Sequence, residues 1–356
     1  MVPGLHQLWQ KTRGNKAIRI AILDGPVDLT HQCLSESSLV SLDTPAGTRV
    51  RSSHGTFITS LIFSSHASKT PGIAPDCSGV IKQIYHEDTD GKLNSCTQSD
   101  ICTGINAALD HGVDIINISG GEKLGKSDKI NVNLKKALKN CERKGVLVVA
   151  ATGNDGMENV HVPARYPTVL AVGAVNQQGT PSVFSNWSHS AAGHGIVAPG
   201  ESIVGAAPGN NWMSSYGTSL STALVSGVAA LLAAVQIANG QQKDLLAIRK
   251  LLQRTATTNA GHSDPRLLGG QLNVQAALAQ LSGDTPDTGQ VQEITEPEVV
   301  PSIASQDDEN DKFLTINNEH MNDEANVPED TNVQPAMENV PVQTKAVADT
   351  AGASVA

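Results

Sequence analysis

The stretch that decides the fold is Gly217-Thr-Ser-Leu-Ser-Thr-Ala-Leu-Val-Ser-Gly227, which continues as an almost wholly apolar segment to Val235. A helix that is apolar on every side is buried, so we expect residues 217–235 to cross the core. Ser219 lies at the start of this helix. Serine there is most often a cap, but the positive end of the helix dipole and its unpaired N–H groups can also stabilise an oxyanion.

Short apolar runs alternate with segments of helical periodicity along the rest of the chain. Strands are predicted at 17–23, 113–118, 146–151, 169–175 and 195–198. Helices are predicted at 54–65, 100–109, 130–143, 245–252 and 274–281. Strands separated by helices of this length indicate parallel βαβ units. The predicted fold class is therefore α/β, with a mainly parallel central sheet and helices on both faces.

Three reactive side chains lie at the ends of these elements. Asp24 follows the first strand, at the edge where open α/β sheets bind ligands, and His54 begins a helix. Serine acyl transfer needs a hydroxyl, an imidazole that takes its proton and a carboxylate that orients the imidazole. Each residue alone has a plainer interpretation. Asp24 could be a turn former, His54 a partly buried histidine and Ser219 a helix cap. The chain order Asp, His, Ser and the absence of Gly-x-Ser-x-Gly around Ser219 argue against the α/β-hydrolase arrangement.

Four blocks of sequence carry a resemblance to the subtilisin-like serine proteases of the S8 family. They are Ala21-Ile-Leu-Asp-Gly25, His54-Gly-Thr56, Ala151-Thr-Gly-Asn154 and the 217–227 stretch. The resemblance covers about residues 8–281 and implies a three-layer subtilisin-like domain over residues 1–282. It also implies that Ser219 is the nucleophile, His54 the general base and Asp24 the carboxylate that orients His54.

The same resemblance assigns further residues to the binding of a peptide substrate. Asn154 would donate its side-chain amide to the oxyanion, although a turn residue is the plainer interpretation. An extended peptide would pair with the edge formed by Ser119, Gly120 and Gly121. The opposite wall of the first pocket would consist of Ala151, Thr152 and Gly153. By its position in the family pattern, the Val162–Pro163 peptide bond is expected to be cis.

One subgroup, the leader-removing proteases of cyanobactin biosynthesis, resembles this chain more specifically through Asp24-Gly-Pro-Val-Asp28 and an acidic C-terminal segment. The 30 positions from Asp24 to His54 leave no space for the helical lid that the cyclising relatives insert there, so we expect hydrolysis. Gly25 stands where the family usually has threonine, which removes a hydrogen-bond partner of Asp24. A general intracellular subtilase, an inactive leader-binding scaffold and the cyclising ligase itself are the alternatives.

The charge of the chain is unevenly distributed. The net charge is −10, and residues 283–356 hold 16 of the 35 acidic residues but only 2 of the 25 basic ones. The remainder is nearly neutral without basic clusters, so no nucleic-acid partner is expected. Residues 283–356 lack any hydrophobic period and are predicted to be a disordered acidic linker or tail. Two interpretations stay open: a linker to a further C-terminal domain beyond Ala356, or a solubilising tail.

The remaining features indicate a cytoplasmic protein. No apolar run of membrane-span length and no secretory signal are evident. The five cysteines are scattered, and free thiols are favoured over a bridge between Cys96 and Cys102. We expect no cofactor, no metal and no membrane partner. Only 23 residues precede Asp24, so no propeptide is expected in this chain.

Overall fold

The computed structural model describes residues 2, 4–43, 50, 52–85, 96–125, 128–258 and 264–283. The chain divides into two units, Met1–Asp287 and Thr288–Ala356, and all of the elements below belong to the first. Except for Gly283, the predicted acidic segment lies outside the described residues.

The first unit contains seven α-helices and nine strands within the described residues. The helices are α1 (Leu5–Lys11), α2 (His54–Phe63), α3 (Gln98–Asp110), α4 (Val132–Arg143), α5 (Thr218–Ala238), α6 (Leu245–Arg254) and α7 (Val274–Ser282). The strands are β1 (Arg19–Asp24), β2 (Ser38–Ser41), β3 (Ser78–Gln83), β4 (Ile115–Ile118), β5 (Leu147–Ala151), β6 (Leu170–Val175), β7 (Gly195–Pro199), β8 (Ile203–Ala207) and β9 (Asn211–Ser215).

Seven strands form one parallel sheet in the order β2-β3-β1-β4-β5-β6-β7, and β8 and β9 form a separate antiparallel hairpin. The strand that comes first in the chain lies inside the sheet, with β3 on one side and β4 on the other. The carboxyl end of β1 is therefore a point where the strand order reverses, and such points are ligand-binding positions in open α/β sheets.

Alternate residues of the central strand contribute to two different hydrophobic cores. Ile20 and Ile22 of β1 belong to a core with α2 and α5, whereas Ala21 and Leu23 belong to a core with α3 and α4. Because successive side chains of a strand point to opposite faces, helices cover both sides of the sheet. The predicted fold class is confirmed.

Helix α5 is the central element of one face. All residues from Thr218 to Gln236 are buried, and the helix packs against β4, β5, β6 and β7. Among the described residues it is the one helix long and apolar enough to span a membrane, but 94% of its apolar window is buried inside the protein. The prediction of a helix through the core is confirmed.

Two smaller expectations can be compared directly with the structure. Helix α3 begins earlier than predicted, because Thr97 and Asp100 form a reciprocal capping box in which Thr97 is the cap. All five cysteines are free thiols, so the favoured interpretation of Cys96 and Cys102 is confirmed.

Candidate active site

The first feature of the site is a pair formed by Asp24 and His54. Asp24 is the last residue of β1 and is fully buried, and His54 is the first residue of α2. The imidazole Nδ1 lies 2.7 Å from Asp24 Oδ1, which also accepts a hydrogen bond from the backbone N–H of Gly25 at 2.6 Å. Nδ1 is occupied by the carboxylate, so Nε2 is the nitrogen left for a substrate or nucleophile.

A close backbone approach holds this pair together. A Cβ atom on Gly55 would lie 2.5 Å from the carbonyl oxygen of Gly25 and 2.6 Å from that of Pro26. Only glycine therefore lets the first turn of α2 approach the loop that follows Asp24. The sequence His54-Gly55 thus places the imidazole against the end of β1.

The second carboxylate oxygen of Asp24 is buried and has no hydrogen-bond partner among the described residues. This agrees with the expectation that Gly25, in place of a hydroxyl-bearing residue, removes one partner of the carboxylate. Within the described part of the chain, Asp24 is therefore held through Oδ1 alone.

The electrostatics of the pair favour a charged imidazole. Burial lowers the pKa of His54, but the charge of Asp24 and its hydrogen bond outweigh burial and raise that pKa above its usual value. A raised pKa makes the imidazole a stronger base, which suits a group that must take a proton from a hydroxyl.

Ser219 is not the cap of its helix. The N-cap of α5 is Gly217, with a φ of +145°, and Ser219 is the second residue of the helix. The interpretation of Ser219 as a simple cap is therefore wrong. As a first-turn residue, its backbone N–H has no partner four residues earlier within the helix.

The hydroxyl of Ser219 donates to the carbonyl oxygen of Ser119 at 2.8 Å, and the hydroxyl of Ser119 donates to the carbonyl oxygen of Ser219 at 3.0 Å. Within the described residues, Ser119 rather than His54 is therefore the partner of the predicted nucleophile. The β1–β4 register pairs Leu23 with Ile118, so Asp24 and Ser119 leave the sheet side by side.

A series of buried hydrogen bonds connects Ser226 with the hydroxyl of Ser119. The hydroxyl of Ser226 donates to Asn117 Oδ1 at 3.0 Å, and Asn117 Nδ2 donates to the hydroxyl of Ser119 at 2.8 Å. The side chains of Asn117 and Ser226 were not singled out from the sequence, although Ser226 lies in the stretch that decides the fold. These hydrogen bonds connect α5 with β4 and end at Ser119, the residue that binds Ser219.

The amide of Asn154 has a defined orientation. Its Oδ1 accepts hydrogen bonds from the backbone N–H and from the hydroxyl of Thr218, both at 2.9 Å. This leaves Nδ2 as the donor for a bound oxygen. Thr218 was missed by the sequence analysis, although it stands directly before Ser219 in the same motif.

The residues predicted to bind substrate lie at the ends of two neighbouring strands, β4 and β5. Gly120 lies against the Tyr85 hydroxyl, and Gly121 lies against the backbone of Val162. Glu122 and Val162 exchange two backbone hydrogen bonds at 2.9 and 3.0 Å, and the predicted cis Val162–Pro163 bond is confirmed. The second set consists of Ala151, the last residue of β5, and of Thr152 and Gly153 directly after it, and all three are buried.

Comparison with known proteins finds that this chain is similar to proteases. The model of the subtilase family matches residues 15–270. A thermophilic serine proteinase of Bacillus sp. (strain AK1) is 33% identical over 258 residues, which cover 71% of this chain and 60% of that relative. This chain therefore spans about three-fifths of the length of that relative.

Two groups of solved structures are also similar. Prenylagaramide maturation protease PagA is 42% identical with a TM-score of 0.74, and the match covers 80% of this chain and 100% of PagA. The PatG macrocyclase in complex with peptide is 29% identical with a TM-score of 0.71, covering 79% and 96%. The maturation protease shares more sequence with this chain than the macrocyclase does.

Proposed function

This chain belongs to the subtilase family, and on that basis we propose that it is a serine endopeptidase that removes the leader from a ribosomally made cyanobactin precursor peptide in the cytoplasm. The observation that carries the catalytic part is the convergence of four groups at one edge of the sheet. Asp24 ends β1 and binds His54. Ser219 is held by Ser119, which follows β4, and Asn154 lies just beyond β5.

Acylation begins when an extended peptide pairs with residues 119–121. A backbone N–H of the peptide competes for the Ser119 carbonyl, so the Ser219 hydroxyl turns from that acceptor towards His54. Nε2 of His54 takes the hydroxyl proton as Ser219 Oγ attacks the scissile carbonyl. Asp24 stabilises the imidazolium that forms.

The negative oxygen of the tetrahedral intermediate is bound by Asn154 Nδ2 and by the backbone N–H of Ser219. His54 then gives its proton to the departing amine, and the acyl group stays on Ser219. A water molecule, activated by His54, hydrolyses this ester and restores the free hydroxyl.

Hydrolysis rather than cyclisation is proposed because the connection from Asp24 to His54 is short. In its described part it contains only a short 3-10 turn (Gln32–Leu34) and β2. Water therefore reaches the acyl-enzyme from this side. The greater identity to a maturation protease than to a macrocyclase supports the same choice.

The test is incubation with a cyanobactin precursor peptide followed by intact-mass analysis. We expect two linear fragments whose masses add up to that of the precursor plus one water. A cyclic product, with no water added to the core fragment, would show that the chain is a ligase.

Casein in the same assay separates leader removal from general proteolysis. We expect one cut in the precursor and little digestion of casein, and no cleavage of either by the Ser219→Ala variant. Extensive digestion of casein would favour a general subtilase, and tight precursor binding without cleavage would favour a scaffold.

A further inference from the structure

A groove with a volume of about 560 Å³ lies between α3 and α4, which pack together on the face of the sheet opposite to α5. Each helix contributes one face, because the lining residues recur at intervals of three and four positions. The residues are Ser99, Cys102, Thr103 and Asn106 of α3, Asn133, Lys136, Ala137, Asn140 and Arg143 of α4, and Asn131, the N-cap of α4. The groove is therefore lined almost entirely by polar side chains.

The charge of this groove is positive. Among its described lining residues, Lys136 and Arg143 are basic and none is acidic. Both side chains are exposed, and neither forms an ion pair within the described part of the chain. The Arg143 guanidinium donates to Asn140 Oδ1 at 3.0 Å, which holds it on the face of α4 that lines the groove. Two unpaired cations are therefore available to a ligand.

The rest of α4 adds to this charge. The helix also carries Lys135 and Lys139, and its acidic residue is Glu142. Glu142 comes two positions after Asn140, so it lies on the opposite side of the helix from the groove. The near-neutral total of residues 1–282 conceals this patch, and the expectation that this part of the chain lacks basic clusters is wrong at α4.

The groove begins where the candidate substrate edge ends. Gln98, the first residue of α3, donates its backbone N–H to the carboxylate of Glu122 at 2.9 Å. Its side-chain oxygen accepts the backbone N–H of Asn131 at 2.6 Å. Gln98 therefore connects the N-terminal ends of both helices to the residue that directly follows the 119–121 edge.

The acyl side of a bound peptide runs along this edge. The Ser219 hydroxyl, which attacks the scissile carbonyl, lies 2.8 Å from the carbonyl oxygen of Ser119. The peptide N–H that meets this oxygen therefore belongs to the residue that carries the scissile carbonyl, whereas the leaving amine faces His54. Residues further upstream pass Gly121 and reach the N-terminal ends of α3 and α4.

We propose that the groove between α3 and α4 binds an acidic segment of the substrate upstream of the scissile bond, and that Lys136 and Arg143 recognise its carboxylates. The inference rests on the proposed peptidase function and names its substrate class. With 12 residues, α4 is about 18 Å long, so an extended segment of about five residues fits beside it.

Two features favour a peptide over a nucleic acid, the other polyanion that a basic groove binds. The described lining residues include no aromatic side chain on which a base would stack. The groove also continues the edge along which the peptide substrate is proposed to lie.

The test compares two peptides with identical residues around the scissile bond and about five upstream residues that are rich in glutamate or in glutamine. At low ionic strength, the unmodified protein should favour the glutamate peptide in kcat/KM by about three- to ten-fold, mainly through KM, because exposed ion pairs remote from the reacting bond add modest, uniform binding. Salt at about 0.5 M should reduce this preference by screening. Equal kcat/KM for the two peptides at low ionic strength would overturn the proposal.

The double variant Lys136→Gln with Arg143→Gln should bring the ratio of the two kcat/KM values close to one. The matched control, Lys250→Gln with Arg254→Gln, removes the same charge from α6, which packs into the core on the α5 side of the sheet. The control should keep the preference for glutamate. An equal loss in both double variants would contradict the assignment, because net charge alone would then explain it.

Charge reversal provides a second, independent variant. Lys136→Glu with Arg143→Glu should favour a peptide that has lysines in the upstream segment over the glutamate peptide. A folded charge-reversed variant that still favours the glutamate peptide would contradict the assignment.

A binding measurement keeps this test separate from the test of peptidase activity. In the Ser219→Ala background, the labelled glutamate peptide should bind more tightly than the glutamine peptide, and adding Lys136→Gln with Arg143→Gln should remove the difference. If no peptide is hydrolysed but this pattern appears, the proposed function fails and the assignment of the groove stands. A single-stranded oligonucleotide that binds more tightly than the glutamate peptide, and loses this affinity in the same variant, would assign the groove to nucleic acid and overturn the proposal.

Discussion

At the scale of single residues, the His54–Asp24 contact sets the pH at which the site can work. The pKa of His54 is raised by Asp24, and only the neutral imidazole accepts a proton. The acidic limb of kcat/KM against pH should therefore lie above about 6.5, the value of a free imidazole. In Asp24→Asn the charge is lost, so the limb should move to lower pH while kcat falls by about 10⁴.

Asp28→Asn is the control for this pH profile. The Asp28 carboxylate accepts hydrogen bonds from Thr30 and from the backbone N–H of Gly209, and within the described residues no hydrogen bond or ion pair joins it to His54. Its removal should leave the acidic limb in place. If the acidic limb of kcat/KM in Asp24→Asn lay at the same pH as in the unmodified protein, this would contradict the proposed effect of Asp24 on His54.

The orientation of Asn154 predicts a loss confined to the chemical step. Asn154→Ala should lower kcat by about 10²–10³ with little change in KM, because the amide binds the oxyanion and not the ground-state peptide. Thr218→Ala should cause a smaller loss in kcat, since one of the two groups that hold Asn154 Oδ1 would remain. Steady-state kinetics would measure kcat and KM separately for each variant. A rise in KM at constant kcat in Asn154→Ala would contradict the proposed role of the amide.

Much of the candidate site could be predicted from the sequence because its members lie in short, recognisable blocks. Asp24, His54, Asn154 and Ser219 each end or begin an element, and their residue types limit their chemistry. Thr218 could not be assigned in the same way. Its role depends on hydrogen bonds with Asn154, which only the folded chain brings together.

At the scale of elements, the sequence predicted the buried strands and helices to within a few residues but missed others. The missed elements are α1, β2, β3, β8 and β9. Strand β2 has four residues, mostly exposed at the edge of the sheet, and so shows no apolar run. Strands β8 and β9 are stabilised by pairing with each other and by the packing of β8 on α2, which no local pattern reveals.

The packing of α5 gives a prediction about stability. A Cβ atom on Gly227 would lie 2.6 Å from Ile73, closer than a packed core tolerates. Gly227→Ala should lower the free energy of unfolding by about 1–3 kcal/mol through overpacking. The higher helix propensity of alanine should offset about 1 kcal/mol of this loss. Urea unfolding would measure the net loss.

Gly193→Ala is the matched control for Gly227→Ala, because a Cβ atom there would meet nothing within 4 Å. Its free energy of unfolding should be unchanged or slightly increased. Equal stability of the two variants would show that α5 is packed less tightly than described.

At the scale of the whole molecule, every group of the proposed site belongs to the unit Met1–Asp287. Helices α1 and α7 pack together near the two ends of this unit, where Gly4 lies close to Gln275. Leu5 and Leu8 of α1 are buried in the same core as α5. The unit therefore has a core of its own, as an independently folding domain requires.

We expect a chain of residues 1–287 to cleave the precursor peptide with kcat/KM within about two-fold of the full chain. The acidic segment would then serve another purpose than catalysis. Parallel kinetics on the two chains would measure this, and a loss of activity in a folded 1–287 chain would show that residues 288–356 contribute to the reaction.

The central claim is that Asp24, His54 and Ser219 form a working triad, and a serine-directed fluorophosphonate probe tests it most directly. Intact mass and peptide mapping should find one label, on Ser219, and His54→Ala should abolish it because the hydroxyl loses its base. Absence of labelling in the well-folded, unmodified protein, or labelling that persists in His54→Ala, would contradict the account.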